Sequence, residues 1–361
     1  MALFFVYTPP TALAASGFAG SHSTMIRVGI NGFGRMGRLA TRAAWGRDDL
    51  QIVAINEPYM DVSMQALLLE FDSVQGRWSH SCSGGDASLR VDSTDLGVSR
   101  HERPADIPWS DWEVDLVLEC SGALRKRALL EPHLQNGVQR VVVSAPVKDG
   151  PPNIVLGVNE RDYDLTKESI VTAASCTTNC LAPVVRVLHD GLGIERGTVT
   201  TIHAPTNTQS VNDAAHADPR RARASQVSLI PTSTNSATAV TLIIPELAGR
   251  LDSIAVRAPV MNASLVDAVF HVSRDTTVEE VNQLLERAST TSPLEGILGF
   301  ETRPLVSADY ARDPRSGVVD ASSTRVTDGR LVKVLVWYDN EWGYANRLVE
   351  LAALVSSGLY G

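Results

Sequence analysis

The chain's strongest chemical signal is Ser175-Cys-Thr-Thr-Asn-Cys180, which sets a thiol between two kinds of backbone. Ile170-Val-Thr-Ala-Ala-Ser175 before it is a short β-type run, and Leu181, Val184, Val185 and Leu188 after it fall at helical spacing. Pro183 then belongs in the first helical turn, where its missing N–H costs nothing. Cys176 is thereby expected to face the N-terminus of a helix. Unpaired amides and the helix dipole there favour a thiolate. The same amides can stabilise an oxyanion on a carbonyl that the sulfur attacks. A small buried side chain is the competing reading, since that is the usual fate of a free cysteine. The stretch alone leaves both open.

A second chemical signal lies upstream. Ile26-Arg-Val-Gly-Ile30 is a short strand-like run that leads into Asn31-Gly-Phe-Gly-Arg-Met-Gly37. A helix-like stretch over 38–45 and a second strand, Gln51-Ile-Val-Ala-Ile55, follow, and Glu57 stands 20 positions after Gly37. Gly32, Gly34 and Gly37 have the G-x-G-x-x-G spacing in the strand–turn–helix–strand context that the motif requires. Such a turn brings backbone close to a pyrophosphate at a helix N-terminus, and Glu57 can accept from ribose hydroxyls.

These two signals need elements to position them. Val114-Asp-Leu-Val-Leu-Glu119 and Arg140-Val-Val-Val-Ser144 read as further strands of a buried parallel sheet, with 153–159 and 170–172 extending it. Beyond Cys176 the pattern changes. Strands are expected at 197–203, 253–257, 265–271 and 331–337, in a mixed or antiparallel sheet, with a threonine-capped helix over 277–288 and a closing helix over about 340–355. The segment 204–227 has no clear periodicity and carries Arg220, Arg221 and Arg223, and a loop of that length is usually functional or disordered. The reading is an α/β protein: a Rossmann parallel-sheet domain (25–175), a second α+β catalytic domain with a mixed or antiparallel sheet (176–340), and a closing segment (341–361).

Composition bounds the rest. A chain of 361 residues, 44% hydrophobic and 20% charged, suggests two globular domains. Its net charge of −9 supplies no basic footprint for nucleic acid or an anionic membrane. Cys82, Cys120, Cys176 and Cys180 are too few and too scattered for a disulfide framework, and no Cys/His cluster suggests a metal. A cytoplasmic location follows. Residues 1–24 contain no charged side chain, so either they are a degenerate targeting extension, which keeps a plastid in view, or the start is Met25.

Four stretches carry a resemblance to one family: Asn31-Gly-Phe-Gly-Arg-Met-Gly-Arg38, Phe71-Asp-Ser-Val-Gln-Gly-Arg77, Ser175-Cys-Thr-Thr-Asn-Cys-Leu-Ala-Pro183 and Trp337-Tyr-Asp-Asn-Glu-Trp-Gly343. From Arg27 to about Val355 the chain resembles the phosphorylating glyceraldehyde-3-phosphate dehydrogenases. The resemblance implies a homotetramer whose closing helix packs back on the first domain. It implies that Cys176 attacks an aldehyde, that His203 is the general base, and that inorganic phosphate cleaves the resulting thioester. NAD would be held by Gly32, Phe33, Gly34, Arg35, Met36, Gly37, Glu57, Arg77, Ser121 and Asn340. The substrate phosphate falls to Thr206 and Arg257, and the attacking phosphate to Ser175, Thr177, Thr234 and Asn235, with Arg221 between them.

Several positions depart from the family pattern. Glu57 stands where Asp is usual. It still favours NAD, whereas Ala214-Ala215 in place of a bulky pair resembles members that also take NADP. Asn235 and Thr208 replace a usual glycine and aspartate beside the oxyanion sites. With Asn56-Glu57, Arg42-Ala-Ala-Trp-Gly46 and Glu70-Phe-Asp-Ser73 they resemble the branch that uses arsenate in place of phosphate. Asn56-Glu57 is also similar to erythrose-4-phosphate dehydrogenases, which use water.

Overall fold

The computed structural model describes residues 25–361 except 148, 166, 358, 360 and 361, so the reading of 1–24 lies outside the described residues. The first sheet contains β1 (Ile26–Asn31), β2 (Leu50–Asn56), β3 (Cys82–Gly84), β4 (Ser88–Val91), β5 (Thr94–Ser99), β6 (Leu116–Glu119), β7 (Arg140–Val143) and β8 (Ile170–Thr172), in the order β3-β4-β5-β2-β1-β6-β7-β8. From β5 to β8 every pairing is parallel, and β3–β4–β5 form an antiparallel edge. Central in the sheet, β1 and β6 are almost wholly buried, and their apolar residues are broken only by half-buried Arg27 and by Asn31 and Glu119 at the carboxyl ends. One face is covered by α1 (Arg35–Ala44) and α2 (Val62–Glu70), the other by a cluster around the fully buried Trp109, to which Leu130 of the short α3 (Arg127–Leu130) belongs.

The second sheet is mixed. It contains β9 (Ile194–His203), β10 (Ile230–Ser233), β11 (Leu251–Arg257), β12 (Ser264–Val272), β13 (Leu298–Glu301), β14 (Gly317–Asp320), β15 (Arg325–Thr327) and β16 (Leu331–Tyr338), in the order β10-β11-β9-β12-β16-β14-β13 with β15 on β16. Its inner face packs against α4 (Cys176–Leu192), α5 (Ser236–Ile243) and α6 (Val278–Ser289). Thr277 caps α6 by accepting from the Glu280 amide, as its sequence implied. α7 (Trp342–Ser356) returns to the first sheet, packing beside α1 and on β6 and β7, where Leu348, Val349, Leu351 and Ala352 join the first core.

Two expectations are corrected. Residues 153–159 form no strand beyond one bridge from Asn153 to Thr172. The Asn159 side chain accepts from the Val155 amide, Val158 closes a turn on Val155, and Gly157 is left-handed at φ +82°, so these backbone groups are used locally. Pro183 is not in the first turn of α4 but inside it, because Ser175 already caps the helix by accepting from the Thr178 amide. A proline at 183 removes only the bond to the Asn179 carbonyl.

Candidate active site

The thiol is aimed by strain and a cap. Ala174 turns the chain out of β8 in the left-handed region, at φ +52°, a conformation disfavoured for a residue with a Cβ. Ser175 then caps α4, making Cys176 its first residue. β9 ends at His203, and its parallel partner β11 ends in register at Arg257. β16 runs the same way and ends at Tyr338, so three strand ends and one helix start converge.

Cys176 Sγ lies 3.7 Å from His203 Nε2. His203 is 4% exposed. Its Nδ1 is 2.6 Å from the Ala204 carbonyl oxygen and 2.6 Å from Arg257 Nη1, which is itself 3.2 Å from the same carbonyl. That oxygen has two lone pairs and can accept from both. With the ring donating from Nδ1, Nε2 is left as an acceptor toward the thiol. Burial first, then the Arg257 charge, push the His203 pKa down to about 3, so the resting ring is neutral.

The thiol itself departs from expectation. Burial pushes the Cys176 pKa up; Arg257 and the hydroxyl and amide of Thr177 pull it down but do not prevail. Desolvation outweighs the helix end. The resting pair is a thiol facing a neutral imidazole, not a preformed thiolate.

Most of the remaining oxyanion candidates are engaged by neighbours outside the set. Thr177 Oγ1 is 2.9 Å from Tyr338 Oη, and Ser175 Oγ is 2.7 Å from Thr178 Oγ1. Thr206 bonds Thr208 and Gln209, Arg221 Nε donates to Thr232 Oγ1 at 2.8 Å, and Thr234 Oγ1 is 2.7 Å from Ser236 Oγ. Asn235 precedes α5 without a side-chain cap bond. Arg257 lies on His203, and its buried Nε has no partner among the described residues.

The glycine turn fits a dinucleotide. Gly32 has φ +89°, and a Cβ there would stand 2.5 Å from the Ser121 backbone. A Cβ on Gly37 would be 2.2 Å from the Gly32 carbonyl oxygen, so that position serves close packing. At exposed Gly34 a Cβ meets nothing within 4 Å, so the protein leaves space there for an approaching ligand. Glu57 accepts from the Phe33 amide at 2.8 Å and the Tyr59 amide at 3.0 Å, which fixes a carboxylate at the end of β2. Met36 packs on the first core, whereas Arg77 is held on Glu70 and lies over the Phe71 ring. Asn340 is oriented by a short chain of bonds: the Ala204 amide donates to Ser264 Oγ, whose own proton goes to Asn340 Oδ1 at 2.8 Å. The Asn340 Nδ2 donor is left for a carbonyl such as that of nicotinamide.

Gly32→Ala is expected to destabilise the chain by roughly 2–5 kcal/mol, from left-handed strain plus a backbone clash. The measurement is Tm together with NAD titration. An unchanged Tm would contradict the close approach to Ser121.

Comparison with known proteins agrees with this geometry. Residues 26–127 match the model of the glyceraldehyde 3-phosphate dehydrogenase NAD-binding domain, and 175–340 match that of the C-terminal domain. Glyceraldehyde-3-phosphate dehydrogenase 3 of Nostoc sp. is 58% identical over 92% of this chain and 99% of its own length. Glyceraldehyde-3-phosphate dehydrogenase of Pseudomonas aeruginosa is 49% identical over 92% and 98%. The chain belongs to the glyceraldehyde 3-phosphate dehydrogenase family. It is an NAD-dependent dehydrogenase of α/β fold.

Two further features of this family member were not read from its sequence. Tyr338 meets the His203 ring edge-on at 5.9 Å between centroids, and its hydroxyl lies 2.8 Å from Thr201 Oγ1 as well as near Thr177. Glu119 is 1% exposed, and among the described residues no lysine or arginine pairs with it. It accepts from Asn31 Nδ2 at 2.5 Å, from the Ser121 amide at 2.8 Å and from the Ser121 hydroxyl. His133 Nδ1 accepts from the Trp109 indole, which leaves Nε2–H to donate to Glu119 at 3.2 Å. These bonds tie the carboxyl ends of β1 and β6 to the Ser121 turn. The only sequence signal was a glutamate closing an apolar strand.

Proposed function

We propose that the chain oxidises glyceraldehyde 3-phosphate to 1,3-bisphosphoglycerate, with NAD and inorganic phosphate, through a thioester on Cys176. The observation that carries this reading is the 3.7 Å contact of Cys176 Sγ with a neutral His203 at the start of α4. Sulfur attacks the aldehyde carbon, and its proton passes by way of His203 Nε2 to the forming oxygen. The amides at the start of α4 stabilise that oxygen. His203 then takes the hydroxyl proton as the carbon loses hydride. NAD supplies the hydride acceptor. A phosphate oxygen finally attacks the thioester carbonyl, and the sulfur leaves and is reprotonated.

Arg257 gives the substrate phosphate a role beyond binding. A dianion at Thr206 and Arg257 would offset the guanidinium charge that depresses His203, making the base stronger when substrate is present. Ser175, Thr177, Thr234 and Asn235, with Arg221, are assigned to the attacking oxyanion.

A homotetramer is supported by the outer face of the second sheet. Ile202, Leu265 and Trp337 form a row across β9, β12 and β16, and Ile202 and exposed Ile254 are partly open to solvent. The cysteines among the described residues are all free, which supports a reducing, cytoplasmic location. No described helix is long and apolar enough to cross a membrane.

The test is NADH formation from glyceraldehyde 3-phosphate with phosphate, with arsenate and with neither, repeated with NADP. Strict dependence on an oxyanion and a preference for NAD are expected. Equal rates without oxyanion would replace the proposal with a hydrolytic enzyme of the erythrose-4-phosphate type. Activity with arsenate alone would move it to the arsenate branch.

A further inference from the structure

The Arg35 side chain is turned into a network joining the two domains. Its Nε donates to Glu341 Oε1 at 2.8 Å, its Nη2 to Glu341 Oε2 and its Nη1 to Asp72. Arg35 is the first residue of α1, directly after Gly34, and Glu341 directly follows Asn340. The other arm is as firmly held. Asp72 Oδ1 accepts from the Val74 and Gln75 amides, both at 2.9 Å. Buried Gln75 donates to Glu341 Oε2 at 3.2 Å and to Asp339 Oδ2 at 3.4 Å. Asp339, 1% exposed, accepts from the Glu341 and Trp342 amides on one oxygen and from Asn262 Nδ2 and the Arg312 amide on the other. Segments of both domains therefore converge on the turn that carries Asn340.

We infer that Arg35 and Glu341 are positioning residues, whose bidentate ion pair locks the Asn340 turn to the glycine turn and so fixes the separation of the two ends of the dinucleotide site. A planar guanidinium with two carboxylate partners has little freedom to slide. On this view any contribution of Arg35 to the cofactor comes from its backbone, because its side chain is committed to the pair. The inference rests on the reading of Asn340 as the nicotinamide's partner. Loosening the pair should leave the pyrophosphate end intact and blur the nicotinamide end.

The experiment titrates NAD and ADP-ribose, which lacks nicotinamide, into wild type, Glu341→Gln, Asp72→Asn and Asn340→Ala, with Tm and near-UV circular dichroism for each. Glu341→Gln removes the charge at constant shape. It should weaken NAD about tenfold, within the usual range of coupling through such networks, while ADP-ribose changes by less than about twofold. Asp72→Asn keeps Oδ1 for its two amides and should show the same signature more weakly; Asn340→Ala should show it fully. Equal losses of both ligands would reduce the pair to a structural role and overturn the proposal. A flat Glu341→Gln beside a selective Asn340→Ala would overturn it while leaving the Asn340 assignment standing. If Asn340→Ala were flat as well, both would fall.

Discussion

Cys176→Ser is expected to lower turnover by on the order of 10⁴-fold or more, the scale seen when a covalent nucleophile is lost, while NAD still binds. Serine has the shape of cysteine with a smaller terminal atom, so the cap at Ser175 and the start of α4 should survive. Reactivity does not. A thiol already pushed up by burial depends on a base whose own pKa is held near 3, and a hydroxyl is a far weaker acid than that thiol. The dinucleotide cradle is built from β1, α1 and β2, which do not use the sulfur. Steady-state NADH formation and NAD titration separate the two outcomes. An acyl adduct on residue 176, found by mass spectrometry after acid quench of wild type and absent in the variant, completes the test. Residual turnover above a few per cent of wild type would sink the nucleophile assignment.

Local patterns made much of this fold legible. The run Ile26–Ile30, the glycine turn and Glu57 lie within about 30 residues, and each is dictated by neighbours in sequence or by one ligand class. The junction at Cys176 was legible for the same reason, since an apolar β-type run meets a helical period there. Two local cues misled. Pro183 imitates a first-turn proline, yet the serine cap lies eight residues before it. The short apolar run at 153–159 imitates a buried strand, yet Asn159 and Gly157 bend it into a turn. What sequence could not supply was long-range. The contact of Arg257 with His203 arises from the parallel register of β9 and β11, 54 residues apart. Burial of the sulfur comes from elements that meet only in the folded chain, so the sign of its pKa shift was invisible from residue types. The Arg35–Glu341 pair spans 306 residues and has no local pattern at all.

His203→Asn should slow turnover by ~10²–10⁴-fold, the usual contribution of a general base, and should also change how acid unfolds the protein. An asparagine amide can approximate the ring's Nδ1 donor to Ala204, but offers no base at the Nε2 position beside the sulfur. The pH dependence has a definite sign. The folded His203 pKa lies near 3, below its ordinary 6.5, so the native ring stays neutral where an unfolded ring takes up a proton. Stability from this group is therefore fully present above about pH 6.5 and is lost as pH falls toward 3. Its slope is at most ~1.4 kcal/mol per pH unit. In His203→Asn that part of the slope disappears, so the variant should lose less stability than wild type between pH 6.5 and 4. Denaturant unfolding at a series of pH values reads the difference directly. Parallel pH profiles would mean that the buried ring titrates normally, and a wild type that loses less stability than the variant on acidification would replace the neutral thiol–imidazole pair by an ion pair.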